Sequence, residues 1–311
     1  MVSRKFTLHR SWARQATIGF LGATTPTVWS TFVAAFDQRL RRLGWIDGSN
    51  IAIDYRWAEG RQDRYDDFAQ DFAGREVDII LTSGTPAVLA AKKATKRIPI
   101  VFASAGDPVR TNLIDRLDRP GGNVTGMSNG HLDLAERRLD ELRKVVPDLQ
   151  RLAIIGNLGN RVIPHEVERI KRRARQLKLE TVVSDVRGSA QIVPAIKAVR
   201  GKVDALYVCT DPLLTTHSVA INTAAASARL PTMHAFREYV ETGGLMSYGP
   251  DFRAMFENAA SLVDKILRGT QPANIPVRLQ QQCELVINQH TANALGIRIP
   301  KRVRARATVI R

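Results

Sequence analysis

Residues 78–91 read DIILTSGTPAVLAA, and their order decides the fold class. Ile79, Ile80 and Leu81 form an apolar run that stops at Thr82-Ser83-Gly84-Thr85, and Pro86 then opens a helix-forming stretch. An apolar strand, a small polar turn and a proline in the first helical turn spell strand, loop, helix. In an open α/β sheet that loop lies at the carboxyl end of a parallel strand, where ligands bind. Its hydroxyls, and the free N–H groups of the next helix, face that space.

The same unit recurs on either side. Thr17–Leu21 reads as a first strand, followed by a helix carrying Val28, Phe32, Phe36, Leu40 and Leu43 at spacings of three and four. Ile51–Trp57 is a second strand, and Tyr65, Phe68 and Phe72 mark the helix after it. Ile98–Phe102 is a fourth strand, a helical piece is expected near Arg110–Leu117, and Asn123–Met127 is a short fifth strand. A helix over Leu132–Val146 ends at Pro147, and the pattern restarts. Arg151–Ile155, Thr181–Val186, Val203–Val208 and Leu230–Ala235 repeat the first four strands at an offset of about 130 residues, and Gly244–Ser247 repeats the fifth. In particular, Val203-Asp204 running into Thr210-Asp211-Pro212 repeats Val77-Asp78 running into Thr85-Pro86.

Two strings of β–α units imply two parallel sheets, each covered by helices on both faces. The expectation is an α/β protein of two doubly wound domains. Phe252–Leu267 is helical and Glu284–Ile287 is one more strand; these elements cross back between the halves and make a hinge of more than one segment. The 311 residues suit two domains of about 120–150 residues each.

A net charge of +16 raises the question of anionic partners. The basic residues are scattered, with dense clusters only at Arg169–Arg175 and Lys301–Arg306. The first reads as a solvated helix face and the second as a solvated tail, so a nucleic-acid partner is not expected. Cys209 and Cys283 have no metal spacing and read as buried free thiols. No apolar run approaches the roughly 18–20 residues of a membrane span. The start, MVSRKFTLHRSWARQA, lacks an apolar core of roughly 7–15 residues before a cleavage site, so this sequence carries no expected export signal.

There is no phosphate-binding Gly-x-x-x-x-Gly-Lys-Ser/Thr loop, no Gly-x-Gly-x-x-Gly after the first strand and no Gly-x-Ser-x-Gly elbow. The six histidines form no His-x-x-x-His pair. Neither a cofactor, a metal nor a catalytic residue is expected. The loops that would face a cleft supply Thr24, Thr25, Ser83, Gly84, Thr85, Asp107 and Ser128 from the first half. The second half supplies Asn157, Thr210, Asp211, Phe236, Arg237 and Tyr248. This mixture suits a small polar or zwitterionic ligand. Ser83, Thr85 and helix N–H groups can accept a carboxylate, Asp211 an ammonium, and the aromatic rings an apolar side group. Each residue also has a structural reading: Thr85 as a helix cap, Asp107 and Asp211 as turn residues before proline, Phe236 and Tyr248 as core, Arg237 as a partner of Glu238 or Glu241.

Seven stretches carry a family resemblance: AEGRQDRYDDFA (58–69), VDIILTSGTPAVLAAKKAT (77–95), IPIVFASAGDPV (98–109), RPGGNVTGMS (119–128), FREYVETGGLMSYGPDF (236–252), VDKILRGTQPANIPV (263–277) and ELVINQHTANALGIRIP (284–300). Together they resemble the ABC transporter substrate-binding proteins of the tryptophan/tyrosine-type family. The resemblance implies the type I periplasmic binding protein fold, with two α/β domains, a three-segment hinge and a ligand in the cleft. Lobe one would take residues 16–127 plus about 250–280, and lobe two 128–249 plus about 281–311. Members of the family bind aromatic amino acids or related molecules and pass them to a membrane permease. The cleft positions it implies are Ser83, Thr85, Asp107, Thr210, Asp211, Phe236 and Tyr248. Some relatives show Thr-Asp-Asn where this chain has Thr210-Asp211-Pro212.

The expected protein is therefore the monomeric solute-binding component of an ABC importer, closing on its ligand by hinge motion, in the periplasm or cell envelope. A cytosolic small-molecule sensor is the alternative, with an enzyme using Asp107 and Asp211 as acid and base ranked below it.

Overall fold

The computed structural model describes residues 15–311; residues 1–14, within the stretch read for an export signal, lie outside the described residues. The first half alternates β1 (Ala16–Gly22), α1 (Pro26–Arg42), β2 (Ile51–Trp57), α2 (Gln62–Gly74), β3 (Ile79–Thr82), α3 (Thr85–Ala94), β4 (Ile100–Ala105) and β5 (Val124–Ser128). β3 and β4 are buried along their whole length, which their unbroken apolar runs require in a sheet covered on both faces. α1 starts with Pro26 in its first turn and buries Trp29, Phe32, Phe36 and Leu40 along one side.

Between β4 and β5 the chain forms turns and no helix, so the helical piece expected near Arg110–Leu117 is absent. Pro108 removes a backbone donor there and Asn112 sits at φ 59°, a left-handed conformation that stops helix propagation. Leu113 and Ile114 are nevertheless buried, which is the apolar signal that mimicked a helix.

The second half runs α4 (His131–Val145), β6 (Arg151–Gly156), α5 (Ile163–Gln176), β7 (Glu180–Asp185), α6 (Ser189–Val199), β8 (Ala205–Val208), α7 (Pro212–Thr216), α8 (Ser218–Ser227), β9 (Thr232–His234), α9 (Arg237–Glu241) and β10 (Met246–Pro250). α10 (Phe252–Leu267) then returns to the first lobe and packs on α1, where Trp29 and Phe32 meet Phe256 at ring-centroid distances of 5.3 and 5.5 Å. β11 (Arg278–Leu279) adds to the free side of β5. β12 (Cys283–Asn288), α11 (Gln289–Ala294), α12 (Lys301–Arg304) and β13 (Thr308–Ile310) complete the second lobe.

The six-stranded sheet has the order β11-β5-β4-β3-β1-β2, and the seven-stranded sheet β13-β12-β10-β9-β8-β6-β7. Read from its first strand, each half has the doubly wound order 2-1-3-4-5. Neighbouring strands pair in parallel except β10 and β12, which are antiparallel; the chain comes back across the hinge before adding β12, and β13 then follows parallel to it. The expected pair of doubly wound α/β domains is found, with the two strands β12 and β13, parallel to each other, reversed against the rest of the second sheet.

The basic run on α5 faces the acidic side of α4: Arg169 pairs with Asp133 at 3.2 Å, Arg173 with Asp140 at 2.8 Å, and Arg172 with Glu136. The second cluster is not a tail. Residues 301–304 form α12, β13 pairs with β12, and Arg306 reaches Glu141 on α4. Both cysteines are free thiols; Cys209 is buried and Cys283 is half-buried. Among the described residues no helix is long and apolar enough to cross a membrane.

Candidate functional site

The turns after β3 and β8 face each other. Gly84 precedes α3 at φ 90°, a conformation that L side chains rarely adopt, and its N–H donates to the Ser104 carbonyl at 2.7 Å. That pinned turn holds Ser83 and Thr85 buried at the cleft. A β-carbon on Gly84 would lie 3.1 Å from Cγ of Pro212, which opens α7 in the other lobe. Nearby, Gly60 of lobe one touches Leu213 of lobe two so closely that a β-carbon would stand 2.7 Å from the Leu213 Cα. The lobes are thus closed on one another, and a cavity remains behind the contact.

Lobe one lines this cavity with Thr24, Ser83, Thr85 and Ser104, and lobe two with Asn160, Thr210, Asp211 and Glu238. Trp29 and Phe32 of α1, Phe252 of α10, and Phe236 and Tyr239 at the start of α9 form an aromatic wall. Phe236 and Phe252 meet across the lobes at 4.5 Å between centroids. The space open to the centre of a water molecule is about 60 Å³, several times the roughly 10–15 Å³ that one water requires.

Polar groups inside the cavity fall into two kinds. Asp211 is committed: its carboxylate accepts from Asn160 Nδ2 at 2.8 Å, from the Leu213 N–H at 2.8 Å and from Asn157 Nδ2 at 3.4 Å. It caps α7, and burial nevertheless pushes its pKa upward. By contrast, the hydroxyls of Thr24 and Thr210 are buried with no hydrogen-bond partner among the described residues. Glu238 lines the cavity without an ion pair or a side-chain donor among the described residues. Burial, with Glu241, Glu284 and Asp251 nearby, raises its pKa to about 7. Such groups are costly unless something meets them.

A buried network stands behind the Thr210 turn. Glu166 on α5 accepts from the Thr210 N–H at 3.2 Å and from the Tyr207 hydroxyl at 2.8 Å. The Arg138 guanidinium reaches Glu166 at 3.5 Å and donates to the Tyr248 carbonyl at 2.8 Å. The network ties the cavity turn to α4, α5 and β10. Close by, His234 stacks on Tyr239 at 4.6 Å, and neither ring nitrogen has a partner among the described residues.

Of the residues singled out from sequence, Thr24, Ser83, Gly84, Thr85, Thr210, Asp211 and Phe236 come together at the cavity. The others lie elsewhere. Thr25 caps α1, accepting from the Val28 N–H at 3.3 Å. Asp107 turns away to pair with Arg110 at 3.1 Å. Ser128 is buried at the end of β5 beside Ala105. Arg237 is bound by Glu241 at 2.8 Å and Glu284 at 3.2 Å. The Tyr248 ring lies under the Arg137 guanidinium at 4.8 Å. Asn157 reaches the site only through Asp211.

Sequence reasoning missed Trp29, Phe32, Phe252, Asn160 and Glu238. The three rings sit at the cleft end of helical apolar stripes, where core and cavity positions share one period. Arg237 was read as a partner of Glu238 or Glu241; it pairs with Glu241 and with Glu284, and Glu238 is left facing the cavity.

The family profile described as ABC transporter substrate binding protein matches residues 29–310. A tyrosine-binding protein of Clostridioides difficile is 29% identical over 262 residues, which is 84% of this chain and 75% of that protein. Among solved structures, an ABC domain from Streptococcus pneumonia in complex with L-Trp superposes with a TM-score of 0.89 at 26% identity, covering 95% of this chain and 100% of that one. A ligand-free, open substrate binding protein with adhesive properties from Clostridium difficile gives 0.66 at 25% identity, covering 95% and 99%. At nearly the same identity, the chain superposes more closely on the L-Trp complex than on the ligand-free, open structure.

Proposed function

This chain belongs to the ABC transporter substrate binding protein family, and we propose that its solute is a small zwitterion with an aromatic side group, of the tyrosine or tryptophan class. The observation that carries this reading is the cavity itself: an aromatic wall enclosed together with the buried hydroxyls of Thr24 and Thr210 from opposite lobes, which have no partner among the described residues. The relatives' ligands point the same way.

In this reading the solute enters an open cleft, its ring is covered by Trp29, Phe32, Phe236 and Phe252, and Ser83, Thr85 and the first N–H groups of α3 take its carboxylate. Contacts from both lobes favour the closed state. The hinge lies where the chain passes between sheets: after β5, between β10 and α10, and between β11 and β12. The closed, loaded form is what a membrane permease receives on the outer side of the membrane. No chemical step is assigned, because Asp107 is paired with Arg110 outside the cavity and forms no acid–base couple with Asp211.

The test is a melting-temperature screen with L-tryptophan, L-tyrosine, L-alanine and myo-inositol. At a concentration a hundredfold above Kd the aromatic amino acids stabilise the closed form by about 2.7 kcal/mol. No stabilisation by either aromatic amino acid, or an equal one by L-alanine, sinks the proposal.

A further inference from the structure

We propose that Glu238, not Asp211, is the specificity-determining acid of the cavity and receives the cationic nitrogen of the solute. The inference deepens the reading of the cavity as the solute site and rests on it. Both carboxylates line the same space. The two oxygens of Asp211 already take Asn160, Asn157 and the Leu213 N–H, and the side chain is needed where it is to cap α7. A carboxylate has about four acceptor positions, so Asp211 is nearly filled.

Glu238 is used far less: it accepts from its own N–H and has no side-chain donor among the described residues. It stands at the start of α9, beside Phe236 and Tyr239, with the apolar ring of Phe252 across the cavity. The charged groups near it are acids: Glu241 on the same helix, Glu284 on β12 and Asp251 at the start of α10. The cation of this corner, Arg237, is held by Glu241 and Glu284. A half-buried carboxylate among acids raises the local negative potential, and Glu238 brings that potential to the cavity wall. In the empty protein the cheapest response is to hold a proton, which is why its pKa rises to about 7. An arriving ammonium replaces that proton. Loading a zwitterion therefore releases a proton near neutral pH, and acidification weakens binding.

Titration calorimetry tests this with three probes, L-tryptophan, L-tyrosine and indole-3-propionate, which lacks the ammonium, between about pH 5.5 and 8.5. For Glu238→Gln the amino acids bind about tenfold to a hundredfold more weakly at the alkaline end, while indole-3-propionate binds as well as to the wild type or better. Asp211→Asn keeps most of the affinity. If Glu238→Gln binds the amino acids like the wild type and Asp211→Asn does not, the assignment is overturned while the solute reading stands. If the wild type binds none of the three probes, the solute reading falls. A second measurement then still decides the acid: the melting temperatures of the two unliganded proteins across the same pH range. Glu238→Gln melts higher above about pH 7 and the same as the wild type below about pH 4.5. Equal melting at every pH shows that Glu238 carries no exposed cost and overturns its role.

Discussion

Gly60 and Leu213 are in backbone contact across the cleft, one from the loop after β2 and the other from the first turn of α7. A β-carbon at Gly60 would meet the Leu213 Cα at 2.7 Å and its N at 2.9 Å. Main chain cannot swing aside as a side chain can, so closure depends on the missing methyl group. Gly60→Val is expected to hold the lobes apart. Small-angle scattering should then show the same extended particle with and without L-tryptophan, and affinity should fall at least about tenfold. The residue also sits at φ 76°, so about 1–2 kcal/mol of stability goes with it. A variant that still closes would show that the contact is incidental.

Thr24→Val separates stability from binding. The hydroxyl is buried and lacks a partner among the described residues, so replacing it with a methyl removes a desolvation cost of about 1–3 kcal/mol from the unliganded protein. Urea denaturation should show a more stable empty protein, and calorimetry a weaker complex. Loss of stability would mean that the hydroxyl is satisfied in solution.

Glu166→Ala attacks the support behind the cavity. It strips Arg138 of this carboxylate and leaves the Thr210 N–H without its acceptor. Breaking a buried pair from one side costs about 3–5 kcal/mol. The expected readouts are that loss in urea denaturation and faster deuterium exchange at the Thr210 amide. Replacing Arg138 and Glu166 together with Met and Leu should cost less than the sum of the single changes.

His234 makes the fold acid-sensitive. Burial drops its pKa from 6.5 to about 3, so the ring is neutral in the folded chain and charges on unfolding. A depressed pKa gives stability that is present above about pH 6.5 and is lost as pH falls toward 3. From pH 6.5 to 5 the loss is about 2 kcal/mol. His234→Leu should flatten that part of the stability profile, and an unchanged slope between those pH values would refute the assignment.

Much of this architecture is legible because parallel strands buried on both faces must be apolar throughout. The runs at Ile79–Leu81 and Ala205–Val208 announce themselves, and the residues just after them, Ser83, Thr85, Thr210 and Asp211, come to the cleft because strand ends do. Trp29 and Phe32 were legible as apolar helix positions but not as cavity wall. Which end of a stripe meets solvent, core or ligand depends on where α10 docks, and α10 is more than two hundred residues further along the chain. Glu238 was hidden for a different reason. Neighbouring opposite charges at Arg237 and Glu238 suggest a pair, but the arginine is taken by Glu241 one helical turn on and by Glu284 on β12, a strand far along the chain. Asp107 failed through the turn that carries it: at φ 36° its carboxylate bends back onto Arg110.

The docking of α10 on α1 also sets a timetable for synthesis. The face of α1 that carries Phe32 and Trp29 is finished only when residues 252–267 have been made, and all ten preceding strands come first. At ribosomal speeds of about 5–20 residues per second, lobe one waits on the order of ten seconds with an oily flank uncovered. Lobe two cannot close its own sheet earlier, since β12 and β13 emerge last of all. Neither half can mature as an independent N-terminal unit, so a nascent chain of this kind has a long interval in which a holding chaperone finds a greasy target.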